Sequence, residues 1–317
     1  RKNILLISAI IFGAASGLCY FSNSFEVLLL GRFIQGFSAA SQKIALRAMI
    51  RDLYEGNRRA QVMSFILSLL ITIPFIAPLV GQMITEYYHW RSLFTLLAAI
   101  AVGAIMLIST LPETLKTEHK ARLTWQQIKS GSRGFITNTQ AMGYTLTAGL
   151  MFGMQLTFLS QAPLYFADSF NITDHFPYYY AAISCCFGFA FIINGWLLQR
   201  YPMARLAEVA IWTLVFIGAL DAALFFSQEM TLAVFFIFMI ANLTATGILF
   251  GNITTLVTEP CAAIAGLGSS LSAAISSGIA LMVSAIIGAN YHGTLAPFVL
   301  GLLVCSILGL VCFYRAK

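Results

Sequence analysis

Apolar residues in this chain come in blocks of about 20, separated by short polar stretches, and that pattern predicts membrane-crossing helices. A helix of about 20 apolar residues reaches across roughly 30 Å of hydrocarbon. The blocks fall at about 3–21, 26–49, 59–85, 90–110, 140–166, 178–198, 205–226, 230–256, 263–289 and 294–313. Helices are expected because unpaired backbone groups cannot face lipid. A lipid-facing barrel would need shorter, alternating segments, and the chain has none. One long hydrophilic stretch, 112–139, interrupts the series and reads as a linker. The expected organisation is four spans in 1–111, a cytoplasmic linker at 112–139 and six spans in 140–317.

Charge adds orientation. Basic residues gather in alternate loops: Arg51, Arg58 and Arg59; then Lys116, Lys120, Arg122, Lys129 and Arg133; then Arg200 and Arg205; then Arg315 and Lys317. The intervening loops hold almost none, with Arg91 the exception. Basic loops stay cytoplasmic, so both ends of this chain are expected inside. Composition excludes a water-soluble globule: 59% of residues are hydrophobic and 9% charged, against about 25% charged in soluble domains. The net charge of +6 is then topogenic and implies no nucleic acid. Of the six cysteines, five lie inside apolar blocks and Cys261 at an edge, without metal-ligand spacing. No metal or cofactor is expected. The four histidines show neither His-Glu-x-x-His spacing nor a Ser-His pair, so the chain does not read as an enzyme.

Polar residues inside the spans are the candidate chemistry. Arg32 lies several residues into the second span. An intramembrane guanidinium costs about 2.5–3.5 kcal/mol on insertion scales, so it should face the bundle interior and bind a partner. It either tunes a nearby intramembrane acid or bonds backbone carbonyls as a structural residue. Among the remaining spans Asp221 lies inside one, toward its external end, whereas Glu26 and Glu208 sit at helix ends, where a side chain can snorkel to water. Asp221 is a proton or cation site, or else a solvated helix-end charge. Lys43 either lines a cavity or snorkels to the interface, about one turn deeper than Arg47. Gln35, Gln82, Gln155, Gln161, Asn194, Asn242 and Asn252 are candidate cavity lining, each set against an interhelical hydrogen bond. Tyr144, Phe152, Phe158, Tyr165 and Tyr180 are candidates to stack on a planar or cationic molecule, against a lipid-facing or core role. Pro74 and Pro78 remove backbone hydrogen bonds and bend the third span, and Gly81 permits close helix contact. Gly266, Ser270, Ala274 and Gly278 form a small-residue series at packing spacing.

Several runs carry a family resemblance. Leu30-Gly31-Arg32-Phe33-Ile34-Gln35-Gly36-Phe37 is followed by Arg47-Ala48-Met49-Ile50-Arg51-Asp52, then by Ile73-Pro74-Phe75-Ile76-Ala77-Pro78-Leu79-Val80-Gly81. Trp90-Arg91-Ser92-Leu93-Phe94, Leu111-Pro112-Glu113-Thr114, Ser160-Gln161-Ala162-Pro163 and Gly247-Ile248-Leu249-Phe250-Gly251-Asn252 continue the series. In this order they resemble drug/proton antiporters of the major facilitator superfamily, in the bicyclomycin- and chloramphenicol-resistance (Bcr/CflA) group. That family carries a Gly-x-x-x-Asp-Arg-x-Gly-Arg-Lys pattern in the loop after the second helix of each half. Gly195, Gln199 and Arg200 are similar to a worn copy of it, with Gln199 in place of Asp, and Arg1-Lys2 are similar to the end of the other copy. By this comparison the chain lacks its first two transmembrane helices, which restores a count of six plus six.

The resemblance implies an all-α polytopic fold of two helix bundles and transport by alternating access. It implies proton coupling through Arg32, with Asp221 the acid still available within these spans. It implies conformational roles for Gly36, Pro74, Pro78 and Gly81, and Gln82 stands where the family usually has a second glycine. The implied partners are protons, the lipid bilayer and small amphipathic molecules exported across a bacterial inner membrane, by a monomer. Export of one metabolite or siderophore, or a truncated non-functional remnant of such a transporter, are the alternatives.

Overall fold

A computed structural model describes residues 1–53, 62, 73, 77, 80–113, 125–173, 175–260 and 265–317. It is helical throughout the described regular structure. The helices are α1 (Lys2–Tyr20), α2 (Phe25–Leu53), α3 (Ser92–Thr110), α4 (Trp125–Thr137), α5 (Thr139–Phe170), α6 (Phe176–Leu197), α7 (Met203–Phe226), α8 (Leu232–Leu256), α9 (Ala265–Ala289) and α10 (Ala296–Ala316). Residues 80–87 are helical as well. Pro74 and Pro78 lie outside the described residues.

Seven of these helices are long and apolar enough to cross a membrane: α1, α3, α6, α7, α8, α9 and α10. The other two long helices, α2 with 29 residues and α5 with 32, exceed the length of a span, but polar residues break up their apolar runs. In α5 those polar groups are satisfied within the helix. Thr145, Thr147 and Thr157 each donate to the carbonyl four residues back, at 2.7–2.9 Å. Such back-bonding lets a hydroxyl sit in an apolar bundle without an orphaned donor.

The chain divides into two compact units, Arg1–Arg122 and Leu123–Lys317. In the first, α1 packs against α2 and α3. The closest approach is at Gly31, where a Cβ would lie 2.5 Å from Cys19 Sγ. Arg91, the basic residue out of place in the loop pattern, has a structural role here. Its guanidinium donates to the Ser22 carbonyl at 2.8 Å, just beyond α1, and covers the Trp90 ring at 4.7 Å.

In the second unit α5 is central and packs against α9, α10 and α8; α7 packs against α8 and α10, and α6 against α8. The seam onto α9 is cut into α5 by Gly149 and Gly153. A Cβ at these positions would lie 3.0 and 2.7 Å from the Cβ atoms of Ile279 and Val283. Glycines four apart let two backbones approach in lipid, where dispersion replaces hydrophobic drive. Ser276 Oγ adds a hydrogen bond to the Thr145 carbonyl at 3.1 Å. The packed face of α9 therefore carries Ser272, Ser276, Ile279 and Val283. This corrects the expected small-residue series, because Ser270, Ala274 and Gly278 are exposed.

The stretch 112–139 contains a helix the span pattern did not anticipate. α4 packs against α9 and α5, and its Phe135 is fully buried in the core of the second unit. The segment is too polar to register as a span, yet its apolar residues recur at helical spacing, and tertiary packing recruits them.

Candidate functional site

Arg32 follows the start of α2 by seven residues, about 10 Å at 1.5 Å per residue. Its Nη1 donates to Gln35 Oε1 at 2.9 Å. Gln35 Nε2 in turn donates to Ser16 Oγ at 2.7 Å, and Ser16 donates to the Phe12 carbonyl at 2.8 Å. The chain of donors runs one way, from the guanidinium on α2 to the backbone of α1. The guanidinium also stands 5.9 Å from the Phe94 ring of α3. Helices α1 and α3 contain no Asp or Glu, so neither supplies Arg32 with a carboxylate. Gln35 is 3% exposed and acts as a brace. Ser16 escaped the sequence reading, since one hydroxyl in an apolar helix carries no periodic signal.

Along α2, Gly36 is exposed and a Cβ there would meet nothing within 4 Å; Gly31, one turn earlier, makes the tight contact instead. Lys43 is exposed. Beyond α2, a Cβ at Gly81 would likewise meet nothing, and Gln82 is half-buried.

In the second unit the helical face of α7 decides the position of Asp221. Ala207, Ile211, Leu214 and Gly218 form its packed stripe, and Asp221 continues it at the next helical step. At Gly218 the packing is backbone to backbone, with a Cβ 3.1 Å from Leu303 Cα on α10. Asp221 is 1% exposed, and its Oδ1 has no hydrogen-bond partner. This corrects the reading of a solvated helix-end charge. α8 has no ionisable side chain, and the charged residue of α10, Arg315, lies at the Glu208 end of α7, about 20 Å along the helix from Asp221. Asn242 on α8 shares the condition: it is 7% exposed and its Nδ2 is unpartnered.

The remaining amides separate into two groups. Asn252 Nδ2 donates to Asn194 Oδ1 at 2.7 Å and to the Ile248 carbonyl at 2.9 Å, which clasps α8 to α6. Gln161 accepts from the Tyr165 hydroxyl at 2.7 Å, and its Nε2 packs against Gly288 of α9. These three hold helices together. Gln155 is half-buried with no hydrogen bond to another described residue. The candidate stacking aromatics are mostly core. Tyr144, Phe158, Tyr165 and Tyr180 are buried, Phe158 stacks on Tyr180 with centroids 5.9 Å apart, and half-buried Phe152 pairs with Phe250.

At the turn after α6, Gln199 and Arg200 are exposed, and the Arg200 guanidinium covers the Trp196 ring at 4.7 Å. Gly195 makes no close approach. Beyond α9, Tyr291 donates to Asp168 Oδ2 at 2.8 Å. Burial first, and the Asp168 carboxylate second, push the Tyr291 hydroxyl up to about 12. Among the described residues no group of three His, Cys, Asp or Glu side chains could hold a metal ion.

Residues 1–283 match the Major Facilitator Superfamily. The chain belongs to that superfamily. Major facilitator proteins are membrane transporters, and the multi-pass helical fold described above is theirs. A bicyclomycin resistance protein homolog from Haemophilus influenzae is 23% identical over 99% of this chain and 79% of its own length. The multidrug resistance protein MdtL of Klebsiella pneumoniae is 32% identical over 52% of this chain and 41% of its own. Among solved major facilitator structures, a D-xylose-proton symporter superposes with a TM-score of 0.78 at 16% identity, over 100% of this chain and 80% of that one. The nucleoside transporter NupG superposes at 0.73 and 14%, over 99% and 82%. At such identities the likeness is one of fold.

Proposed function

We propose that this transporter exports small amphipathic molecules, drugs among them, across a bacterial inner membrane in exchange for protons, with both ends of the chain cytoplasmic. The observation that carries the reading is Asp221, a carboxyl buried in a membrane-spanning helix with an unpartnered oxygen. An ionised carboxylate there would face a desolvation cost of several kcal/mol without a cation to offset it. A neutral acid avoids that cost. Entry of water in another conformation lets the proton leave, which ties protonation to alternating access. Arg32 supplies a fixed positive charge, held in orientation by Gln35 and Ser16. Lys43, Gln82 and Gln155 line the substrate path in this reading, and Asn242 offers it a free amide donor. The names of the Haemophilus and Klebsiella relatives support drugs as the cargo.

The test is efflux of a fluorescent cationic dye from cells lacking their own drug pumps. Efflux should collapse with a protonophore, with Asp221→Asn and with Arg32→Ala, at unchanged protein level. Wild-type efflux by Asp221→Asn would remove the acid from the mechanism. A second reading, export of one anionic metabolite or siderophore, draws on the exposed ammonium of Lys43. It predicts no dye efflux at all from well-expressed protein.

A further inference from the structure

Helix α7 has a second face, opposite its packed stripe, and it bears a groove. The groove encloses about 580 Å³ and is lined by Arg205, Glu208, Val209, Trp212, Thr213 and Phe216. These positions are three and four residues apart and so share one side of the helix. Val209, Trp212 and Phe216 are 56%, 51% and 67% exposed. The chemistry changes in one direction: charge in the first two turns of α7, then an apolar wall as far as Phe216. From Arg205 to Phe216 the groove runs about 16 Å towards the middle of the span. A phospholipid has the same sequence of parts over a similar length.

An apolar helix face in a bilayer touches bulk lipid in any case. The arrangement of charge makes this one selective. Glu208 is already engaged at both oxygens: Oε1 accepts from the Tyr314 hydroxyl at 2.6 Å and Oε2 from Lys317 Nζ at 2.8 Å. The Trp212 indole N–H donates to the same Tyr314 hydroxyl at 3.1 Å, which fixes the ring as one wall of the groove. Arg205 stands over the Tyr201 ring at 6.0 Å and forms no ion pair among the described residues. Its fork of donors is open to a phosphate. Arg200, five residues before it, adds a further positive charge. A zwitterionic headgroup would also bring an ammonium, and the Glu208 charge that would receive it is already offset by Lys317.

We propose that this groove is a binding site for an anionic phospholipid, with its phosphate at Arg205 and an acyl chain along Val209, Trp212 and Phe216. The test uses the full chain reconstituted in phosphatidylcholine vesicles that contain a minor fraction of lipid with brominated acyl chains. Trp212 fluorescence is taken as the difference between the wild type and Trp212→Phe. Brominated phosphatidylglycerol should quench this signal at a lower mole fraction than brominated phosphatidylcholine does. Arg205→Ala should weaken the phosphatidylglycerol response about fivefold, the effect of one basic residue at an anionic lipid, and leave phosphatidylcholine quenching unchanged. Val209→Phe, which narrows the groove, keeps the charge and adds no tryptophan, should also abolish the preference. Equal quenching by the two lipids, or a preference that survives Arg205→Ala, overturns the proposal. So does displacement by water-soluble glycerol phosphate, which would show an anion site without a lipid tail.

Discussion

Asp221→Val should make the protein more stable and less active at once. The substitution keeps a branched side chain of similar size on the packed stripe of α7 and removes the buried, unpartnered Oδ1. An unsatisfied polar atom of this kind destabilises the folded state by about 1–3 kcal/mol. In units of 150–250 residues each kcal/mol moves the thermal midpoint by about 2–4 °C. The expected rise is therefore about 2–12 °C, measured by intrinsic fluorescence on protein purified in mild detergent. Asp221→Asn should change the midpoint little, because it replaces one unpaired polar group by another. Both variants should lose protonophore-sensitive efflux. A midpoint lower than wild type for Asp221→Val, by more than the scatter among replicate preparations, would refute the reasoning. It would mean that the carboxyl holds the bundle together, and the case for a functional acid would fall with it.

Gln35→Leu should leave the folded amount near wild type yet abolish efflux, because it cuts Arg32 from Ser16 and frees the guanidinium to reorient; dye export beside a membrane-fraction immunoblot checks this. Gly153→Leu should destabilise the second unit by at least about 1–3 kcal/mol through overpacking, since even a Cβ would lie 2.7 Å from Val283 Cβ, and Val283→Ala should restore part of the loss in a thermal melt. Asn252→Ala should cost about 1–3 kcal/mol by stranding buried Asn194, whereas Asn194→Ala with Asn252→Ala should cost less than the sum of the two single changes. Tyr291 should stay protonated to about pH 12. Its folded value lies above the ordinary tyrosine value of 10.0, so its contribution to stability is complete below pH 10 and is lost as pH rises from there through about 12. Tyrosinate absorbance of wild type minus Tyr291→Phe should show one late-titrating group.

Much of this molecule was legible as pattern. Blocks of about 20 apolar residues with few charges leave a backbone in lipid no option except to bond to itself, so helices and their approximate limits followed from the sequence. The motifs around Arg32 and Trp90 pointed to the superfamily that the match over residues 1–283 then established. The amphipathic helix α4 was missed, because one buried Phe135 among polar neighbours looks like linker until a partner surface exists.

The candidate site was legible only as a roster of polar residues. In a water-soluble helix one apolar face announces which side is buried. α7 and α8 are apolar all round, so sequence could not say that Asp221 continues the stripe of Leu214 and Gly218, or that Val209, Trp212 and Phe216 look outward. Nor could it separate the amides that clasp helices, Asn194 with Asn252, from Asn242, whose buried donor has no partner. The apolar content of the chain decided that it crosses a membrane in several long helices. Which side of each helix meets another was decided by shape: glycines where backbones touch, and hydroxyls where a neighbouring carbonyl lies within reach. Those are properties of two surfaces together, and one strand of sequence holds only half of each.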